Sequence, residues 1–243
     1  MSATLAHEIR NPLMGLSAQA ELLAEQLAGD DARVRYLDVI TAEVERINDT
    51  ISRLLNFVRP YEPQLGEVSL LELVRDCLDL VAPKAAARGI TLSFNPAATS
   101  VSPEAWRHWL DGAQIKQVLL NLLLNGVDAA PDDSQVQVHL RLDPNLEIFD
   151  LRRGTTQTAP GIVLEISDAG PGVPEGDRER IFRPFYTTKS TGTGLGLSIC
   201  WKIVTAHGGE MRVGRRDERT IFSVLLPQQL LAKGNELEQE SST

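Results

Sequence analysis

The sequence predicts two domains: an all-α helical hairpin that pairs into a dimeric four-helix bundle, followed by an α/β sandwich with a mixed sheet and helices on one face. Three observations carry this reading. Apolar residues repeat in steps of three and four through the first sixty residues. Beyond Val68 the pattern turns into short alternating strands mixed with three apolar helices. Pro60, Pro63 and Gly66 interrupt the chain between the two regimes. The domains are expected at residues 1–62 and 67–229, with 230–243 a disordered tail poor in apolar residues.

The first helix is marked by Leu5, Ile9, Leu13, Leu16, Ala20, Leu23 and Leu27, which form the seam of a coiled-coil-like bundle. Gly29-Asp30-Asp31 breaks it, and the seam resumes through Leu37, Ile40, Val44, Ile47, Ile51, Leu54 and Val58. A hairpin alone leaves much of each stripe exposed, so a symmetric homodimer is expected. In the second domain, Ser69-Leu70-Leu71-Glu72 reads as a capped helix start, with the helix running to about Ala87. Strands are predicted over 90–94, 135–142, 147–151, 161–167, 210–213 and 220–225. Further helices are predicted over 114–130 and 195–207, and a short helix within 175–186. Residues 152–160 read as a loop, making 143–160 an enlarged hairpin connection. Trp106, His108 and Trp109 are expected to pack at the surface.

Composition narrows the function. At 243 residues the chain can bury a core in each of two domains. Its net charge of −9 argues against a nucleic-acid partner. No apolar run is long enough to span a bilayer and no signal-peptide pattern opens the chain, so the expected compartment is the cytoplasm, with any membrane attachment of the parent carried by residues before Met1. Cys77 and Cys200 lack metal-ligand or redox spacing and read as reduced, buried, small hydrophobes.

Five stretches carry chemistry. His7-Glu8-Ile9-Arg10-Asn11-Pro12 puts an imidazole, a carboxylate and an amide within five residues. His7 lies opposite the apolar stripe, with Asn11 one turn later on the same side, and Pro12 bends the helix there. With an ordinary pKa of about 6.5 the ring is largely neutral and can act as a nucleophile, although a lone surface histidine is more often idle. Asn121, Asn125 and Asp128 stand at i, i+4 and i+7 on an otherwise apolar helix. Such groups need partners, and Mg²⁺ with phosphates supplies them; a self-capping polar helix end is the plainer alternative.

Asp168-Ala169-Gly170-Pro171-Gly172 follows a strand, where a carboxylate beside two glycines can accept a hydrogen bond from an amine such as that of adenine. The same tripeptide pattern is also an everyday turn. Gly192-Thr193-Gly194-Leu195-Gly196 opens a helix and can present N–H groups to phosphate, but it lacks the ending of a P-loop and the setting of a dinucleotide fingerprint. Between them, Phe182-Arg183-Pro184-Phe185-Tyr186-Thr187-Thr188-Lys189 has the profile of an active-site lid with aromatic anchors. Its Lys189 is able to reach a terminal phosphate.

Taken together, these motifs resemble, in order, the H, N, G1, F and G2 boxes of bacterial two-component sensor histidine kinases, over nearly the whole chain to Pro227. The resemblance implies a dimerisation and phosphotransfer hairpin and an ATP-binding domain of the histidine-kinase, gyrase and Hsp90 type. It implies that His7 attacks the γ-phosphate of ATP while Glu8 takes up the proton of the other ring nitrogen, and that Asn125 ligates Mg²⁺ with Asn121 and Asp128 in support. Asp168 is then the adenine reader, Gly170 and Gly172 admit the base, and Lys189 offsets phosphoryl charge. Gly192, Thr193, Gly194, Leu195 and Gly196 close over the phosphates.

The implied partner is a response-regulator receiver domain. Glu8 and Asn11 also fit the family's E-x-x-N pattern for regulator dephosphorylation. Asn125 to Pro131 and Thr187-Thr188-Lys189 resemble the NtrB-like branch, implying an NtrC-like regulator. Only six residues precede His7, shorter than the family's usual lead-in, as in a fragment of a longer chain. A gyrase or Hsp90-like ATPase places its glutamate earlier on the helix and adds a following domain, and a non-enzymatic nucleotide-sensing adaptor would not retain every motif residue.

Overall fold

The computed structural model describes residues 62–97, 103–150, 154–189 and 193–228, with positions 15, 16, 18, 20, 23, 37–42, 44 and 47 nearer the N-terminus. The chain divides into two compact units, Met1–Pro60 and Tyr61–Thr243. Every described position of the first unit is helical. Of its seam, Ala20, Leu37 and Val44 are buried, whereas Leu16, Leu23, Ile40 and Ile47 are exposed. His7, Glu8, Asn11, Pro12, the Gly29-Asp30-Asp31 break and the tail after Gln229 lie outside the described residues.

The second unit begins with a short strand, β1 (Gly66–Ser69), that leads directly into α1 (Leu70–Ala86). Ser69 caps α1, its hydroxyl accepting from the Glu72 N–H as the sequence predicts. β2 (Thr91–Pro96) follows, then a 3₁₀ turn (Pro103–Trp106), β3 (Arg107–Leu110) and α2 (Gly112–Ala129). Asp111 caps α2, its Oδ1 accepting from Gln114 N at 3.0 Å, so the helix starts two residues earlier than its apolar pattern suggests. The chain continues through β4 (Gln135–Asp150), β5 (Thr155–Asp168), α3 (Gly196–Ala206), β6 (Glu210–Arg216) and β7 (Arg219–Pro227).

Five strands form a mixed sheet in the order β2-β4-β5-β7-β6, with β2 and β4 parallel and every other pair antiparallel. One face of the sheet is apolar. Val136, Val138 and Leu140 of β4 and Ile162, Leu164 and Ile166 of β5 are buried there under the helices. α2 lies between α1 and α3, contributing Ile115, Val118, Leu119, Leu122 and Leu123 to the core. Gln137, His139, Glu165 and Ser167 alternate onto the opposite face, the period-two signature of a sheet with helices on one side.

Three expectations need correction. Residues 152–160 are not simply a loop, because Thr155–Pro160 continues β5, and β4 runs unbroken to Asp150 with only a register shift between Asp143 and Leu146. The physical reason is burial: Leu146 and Ile148 pack with Val163 and Leu225 on the helix-free face. Arg212 Nη2 donates to the Glu147 carbonyl at 2.8 Å, and Phe149 N–H donates to Glu210 Oε2 at 2.9 Å, so the hairpin is held down on β6.

The second correction concerns Trp106 and His108, which are buried at 2% and 4% exposure rather than packed at the surface. β3 pairs antiparallel with β1 in a two-stranded ribbon, and both strands are too short to show a period in the sequence. The third concerns the aromatic anchors. Phe185 is exposed with φ +64°, and Ile181 is the buried anchor of that segment. Cys77 and Cys200 are buried free thiols as expected, and burial pushes them up to about 11 and about 12.

His207, which the sequence does not single out, is fully buried at the end of α3. Its Nδ1–H donates to the Ile203 carbonyl at 2.8 Å, and its Nε2 accepts from Asp111 N–H at 3.1 Å, an arrangement that requires the neutral ring. Asp111 Oδ2 in turn accepts from Gln64 N–H at 3.0 Å. Burial holds both His207 and His108 below the ordinary imidazole range. A depressed histidine binds its proton more readily in the unfolded chain, so stability is full above about pH 6.5 and falls as pH drops through that value. The urea midpoint of residues 61–243 within the intact chain is therefore lower at pH 5.5 than at pH 7.5, and His207→Gln shrinks the difference. A midpoint flat across that window overturns the assignment.

Candidate nucleotide site

α2 is the element on which the predicted motifs converge. Asn121, Asn125 and Asp128 sit along its C-terminal half. The plainer alternative, a helix end that caps itself, does not describe this structure. Arg88 takes the carbonyls of Val127 and Ala130 through Nη1 and Nη2 and anchors its Nε on Asp132 at 2.8 Å. That leaves the side chains of Asn125 and Asp128 for other partners. Asn125 is half-buried and hydrogen-bonds no other described residue, so its amide is available to a ligand.

The Asp168 turn packs against the last two turns of α2. A Cβ on Gly126 would stand 3.6 Å from Asp168 Cβ. At Gly170 a side chain has no room: its Cβ would lie 2.6 Å from Asp168 Oδ1 and 2.9 Å from the Ala129 carbonyl. The absence of a side chain lets Gly170 N–H donate to Asp168 Oδ1 at 2.8 Å. Gly172 turns the chain with φ +86°.

Asp168 is only 2% exposed. Burial raises its carboxyl above the ordinary range, against the opposing pull of the Gly170 N–H, the Thr220 hydroxyl and the guanidiniums of Arg219 and Arg215. A buried carboxylate at a strand end is an acceptor suited to an amine edge. Thr220, its cross-strand neighbour on β7, is a contact the sequence reading missed, and only the β5–β7 register places it there.

The glycine-rich turn meets α2 one turn earlier. A Cβ on Gly196 would lie 3.3 Å from Asn121 Oδ1, and Asn121 also hydrogen-bonds the Cys200 thiol. Gly194 has φ +66° and its Cα faces the Phe185 backbone with no room for a side chain. Leu195, at the N-cap of α3, is fully buried, and Ser198 Oγ donates to its carbonyl at 2.8 Å. Thr193 is half-buried beside this turn, and Gly192 lies outside the described residues.

Lys189 also reaches α2, its Nζ standing 3.1 Å from Asp128 Oδ2. Lys84, from the last turn of α1, holds the other oxygen, Oδ1, at 2.6 Å. Burial alone would raise the Asp128 carboxyl, but the hydrogen bonds from Lys84 and Lys189 outweigh it and hold it below the usual carboxylate range. The segment leading to Lys189 is tied by Arg180, which pairs with Asp177 at 2.9 Å and covers the Tyr186 ring at 5.0 Å. The arrangement sets an amine acceptor, a free amide, N–H-rich glycine turns and a cation around one helix. Such a set can hold the base at one end of a nucleotide and its phosphates at the other.

Residues 1–62 match the family of His Kinase A (phospho-acceptor) domains, and residues 110–230 match the family of histidine kinase-, DNA gyrase B- and HSP90-like ATPases. The catalytic domain of the histidine kinase ThkA is 30% identical, with 68% of this chain and 96% of that chain covered at a TM-score of 0.55. This chain belongs to the histidine kinase family. Its second unit has the ATPase fold shared with gyrase and Hsp90.

Among curated kinases of the family, the sensor histidine kinase ZraS of Klebsiella oxytoca is 35% identical over 209 residues, which is 86% of this chain and 41% of that protein. The chain thus spans less than half the length of this relative. The structure of ThkA in complex with the response regulator TrrA is 27% identical and covers 94% of this chain and 61% of that one, at a TM-score of 0.64. Among the described residues no helix is long and apolar enough to cross a membrane.

Proposed function

We propose that this chain is the transmitter core of a sensor histidine kinase, which moves the γ-phosphoryl group of ATP to His7 and then to an aspartate of a response regulator. The observation that carries the proposal is the meeting of Asp168, the Gly194–Gly196 turn and Lys189 on the helix that bears Asn125, in a chain whose first 62 residues match a phospho-acceptor family.

In this reading Asp168 accepts from the adenine amine, and Gly170 and Gly172 keep side chains out of the base's way. Gly192, Thr193, Gly194, Leu195 and Gly196 bring the chain to the phosphates, where the N-terminus of α3 favours negative charge. Lys189 offsets charge on the transferred group. His7 is the nucleophile, and Glu8 takes the proton from its other nitrogen, so that the attacking nitrogen stays basic.

Asn125 fits a Mg²⁺ site by its chemistry, being a neutral oxygen donor with no other described partner, and Asn121 and Asp128 support it or its waters. Mg²⁺ held there would supply positive charge to offset that of the phosphates. Among the described residues no three His, Cys, Asp or Glu side chains are placed to hold a metal, so phosphate and water would have to complete the shell of a cation on Asn125.

The partner is a response-regulator receiver domain, in keeping with the ThkA–TrrA complex. The Asn125–Pro131 and Thr187–Lys189 variants resemble the NtrB-like branch, which suggests an NtrC-like regulator. Glu8 and Asn11 add a regulator phosphatase, the amide positioning the attacking water. A homodimer is proposed because Leu16, Leu23, Ile40 and Ile47 are left exposed along the helical seam of a single copy.

Incubation with γ-labelled ATP tests the proposal. The expected result is a protein-bound label that is labile to acid, stable to base, and chased onto a receiver domain. Free phosphate without labelled protein points instead to a gyrase-like ATPase, and nucleotide binding with neither product points to a nucleotide-sensing adaptor. Either outcome overturns the proposal.

A further inference from the structure

We propose that Lys84 is a positioning residue of the nucleotide site, acting through Asp128 to leave Lys189 available to phosphate. This rests on the reading of α2 as a nucleotide-binding helix and deepens it. Lys84 stands 105 positions before Lys189, on α1 rather than in any of the motifs. Yet the two ammoniums share one carboxylate, Lys84 Nζ on Oδ1 at 2.6 Å and Lys189 Nζ on Oδ2 at 3.1 Å.

The charge count gives the cluster its direction. Within this trio, two ammoniums on one carboxylate leave a single positive charge uncompensated. Asp128 cannot neutralise both, and each lysine weakens the hold of the carboxylate on the other. An arriving polyphosphate meets that surplus charge without having to displace a balanced ion pair. If Lys84 loses its charge, Asp128 and Lys189 become a neutral one-to-one pair, and Lys189 must then abandon its one counterion among the described residues to reach a phosphate.

Both effects of removing Lys84 act in the same sense, since positive charge near the phosphates falls and Lys189 is held more tightly by Asp128. α1 is fixed in place by its packing on α2, with Val74, Cys77, Val81 and Ala85 buried, so Lys84 is presented from a rigid element. Its own side chain is 48% exposed, which lets it be changed without opening the core.

The test measures Kd for MgATP and for ADP in the intact chain, with Lys84→Met, Lys84→Arg, Lys189→Met and the Lys84→Met/Lys189→Met pair. For partly exposed charges, Lys84→Met is expected to weaken MgATP by about 3- to 5-fold and ADP by less. Lys84→Arg restores the charge and the affinity. In the Lys189→Met background the Lys84 substitution costs clearly less than it does alone, because the residue through which it acts is gone and only the general loss of positive charge remains. Equal weakening of MgATP and ADP with a lowered unfolding midpoint marks a purely structural role and overturns the proposal. So does a full additional loss in the Lys189→Met background, and so does an unchanged Kd in Lys84→Met. A parent chain that binds no MgATP defeats instead the nucleotide-site reading on which this inference rests.

Discussion

Replacing His7 with alanine abolishes transfer of label from γ-labelled ATP to the protein, while nucleotide affinity stays within about twofold of the parent. The expectation follows from a division of labour. The proposed nucleophile lies in the Met1–Pro60 unit, whereas every described residue of the candidate nucleotide site lies in Tyr61–Thr243. Alanine is a strong helix former, so the substitution removes the imidazole without penalising the predicted helix. Measuring acid-labile label and nucleotide Kd on the same preparation separates the two functions. Undiminished acid-labile labelling in His7→Ala means that another residue is the acceptor. Loss of both labelling and binding means that the substitution acts through the fold.

Asn125→Ala produces the opposite pattern. Loss of a direct metal ligand is expected to weaken MgATP by about 100-fold or more, and labelling falls with it. The unfolding midpoint changes little, because the Asn125 amide hydrogen-bonds no other described residue and alanine suits a helical position. The defect narrows when affinity is measured with ADP in the presence of a chelator, since Asn125 acts on the nucleotide through the cation. Normal MgATP affinity in Asn125→Ala removes the metal role. An equal loss with and without the metal assigns Asn125 to direct phosphate contact instead.

The elements with strong local signals were legible before any coordinates. Ser69 with Glu72 marks the start of α1, and the continuous apolar stripe of Ile115 to Val127 marks α2. Residue type at close spacing also marks chemistry, which is why Asp168-Ala169-Gly170-Pro171-Gly172 and Gly194-Leu195-Gly196 stand out. The polar turn residues of 152–160 misled for a related reason. They carry a loop composition, but Leu146 and Ile148 find Val163 and Leu225 to pack on, and that burial carries β4 and β5 outward together. Phe185 misled in the other direction, since its hydrophobicity suggests an anchor and the close approach of Gly194 to its backbone leaves the ring outside.

The sequence by itself determined the two-part organisation, the helices with caps and periodic faces, and the residue types able to bind a nucleotide. All of these depend on neighbours within a turn or two along the chain. The tertiary structure alone decided which of those residues meet. Asn121 faces Gly196, Asp168 bonds across β5 and β7 to Thr220, and Asp111 joins Gln64 to the buried His207. Lys84 and Lys189 share Asp128 for the same reason. A charge or a hydrogen-bond donor carries no mark of its partner, because Coulomb attraction and hydrogen bonding depend on separation in space. The packing of α1, α2 and α3 on one face of the sheet and the register of its strands set those separations.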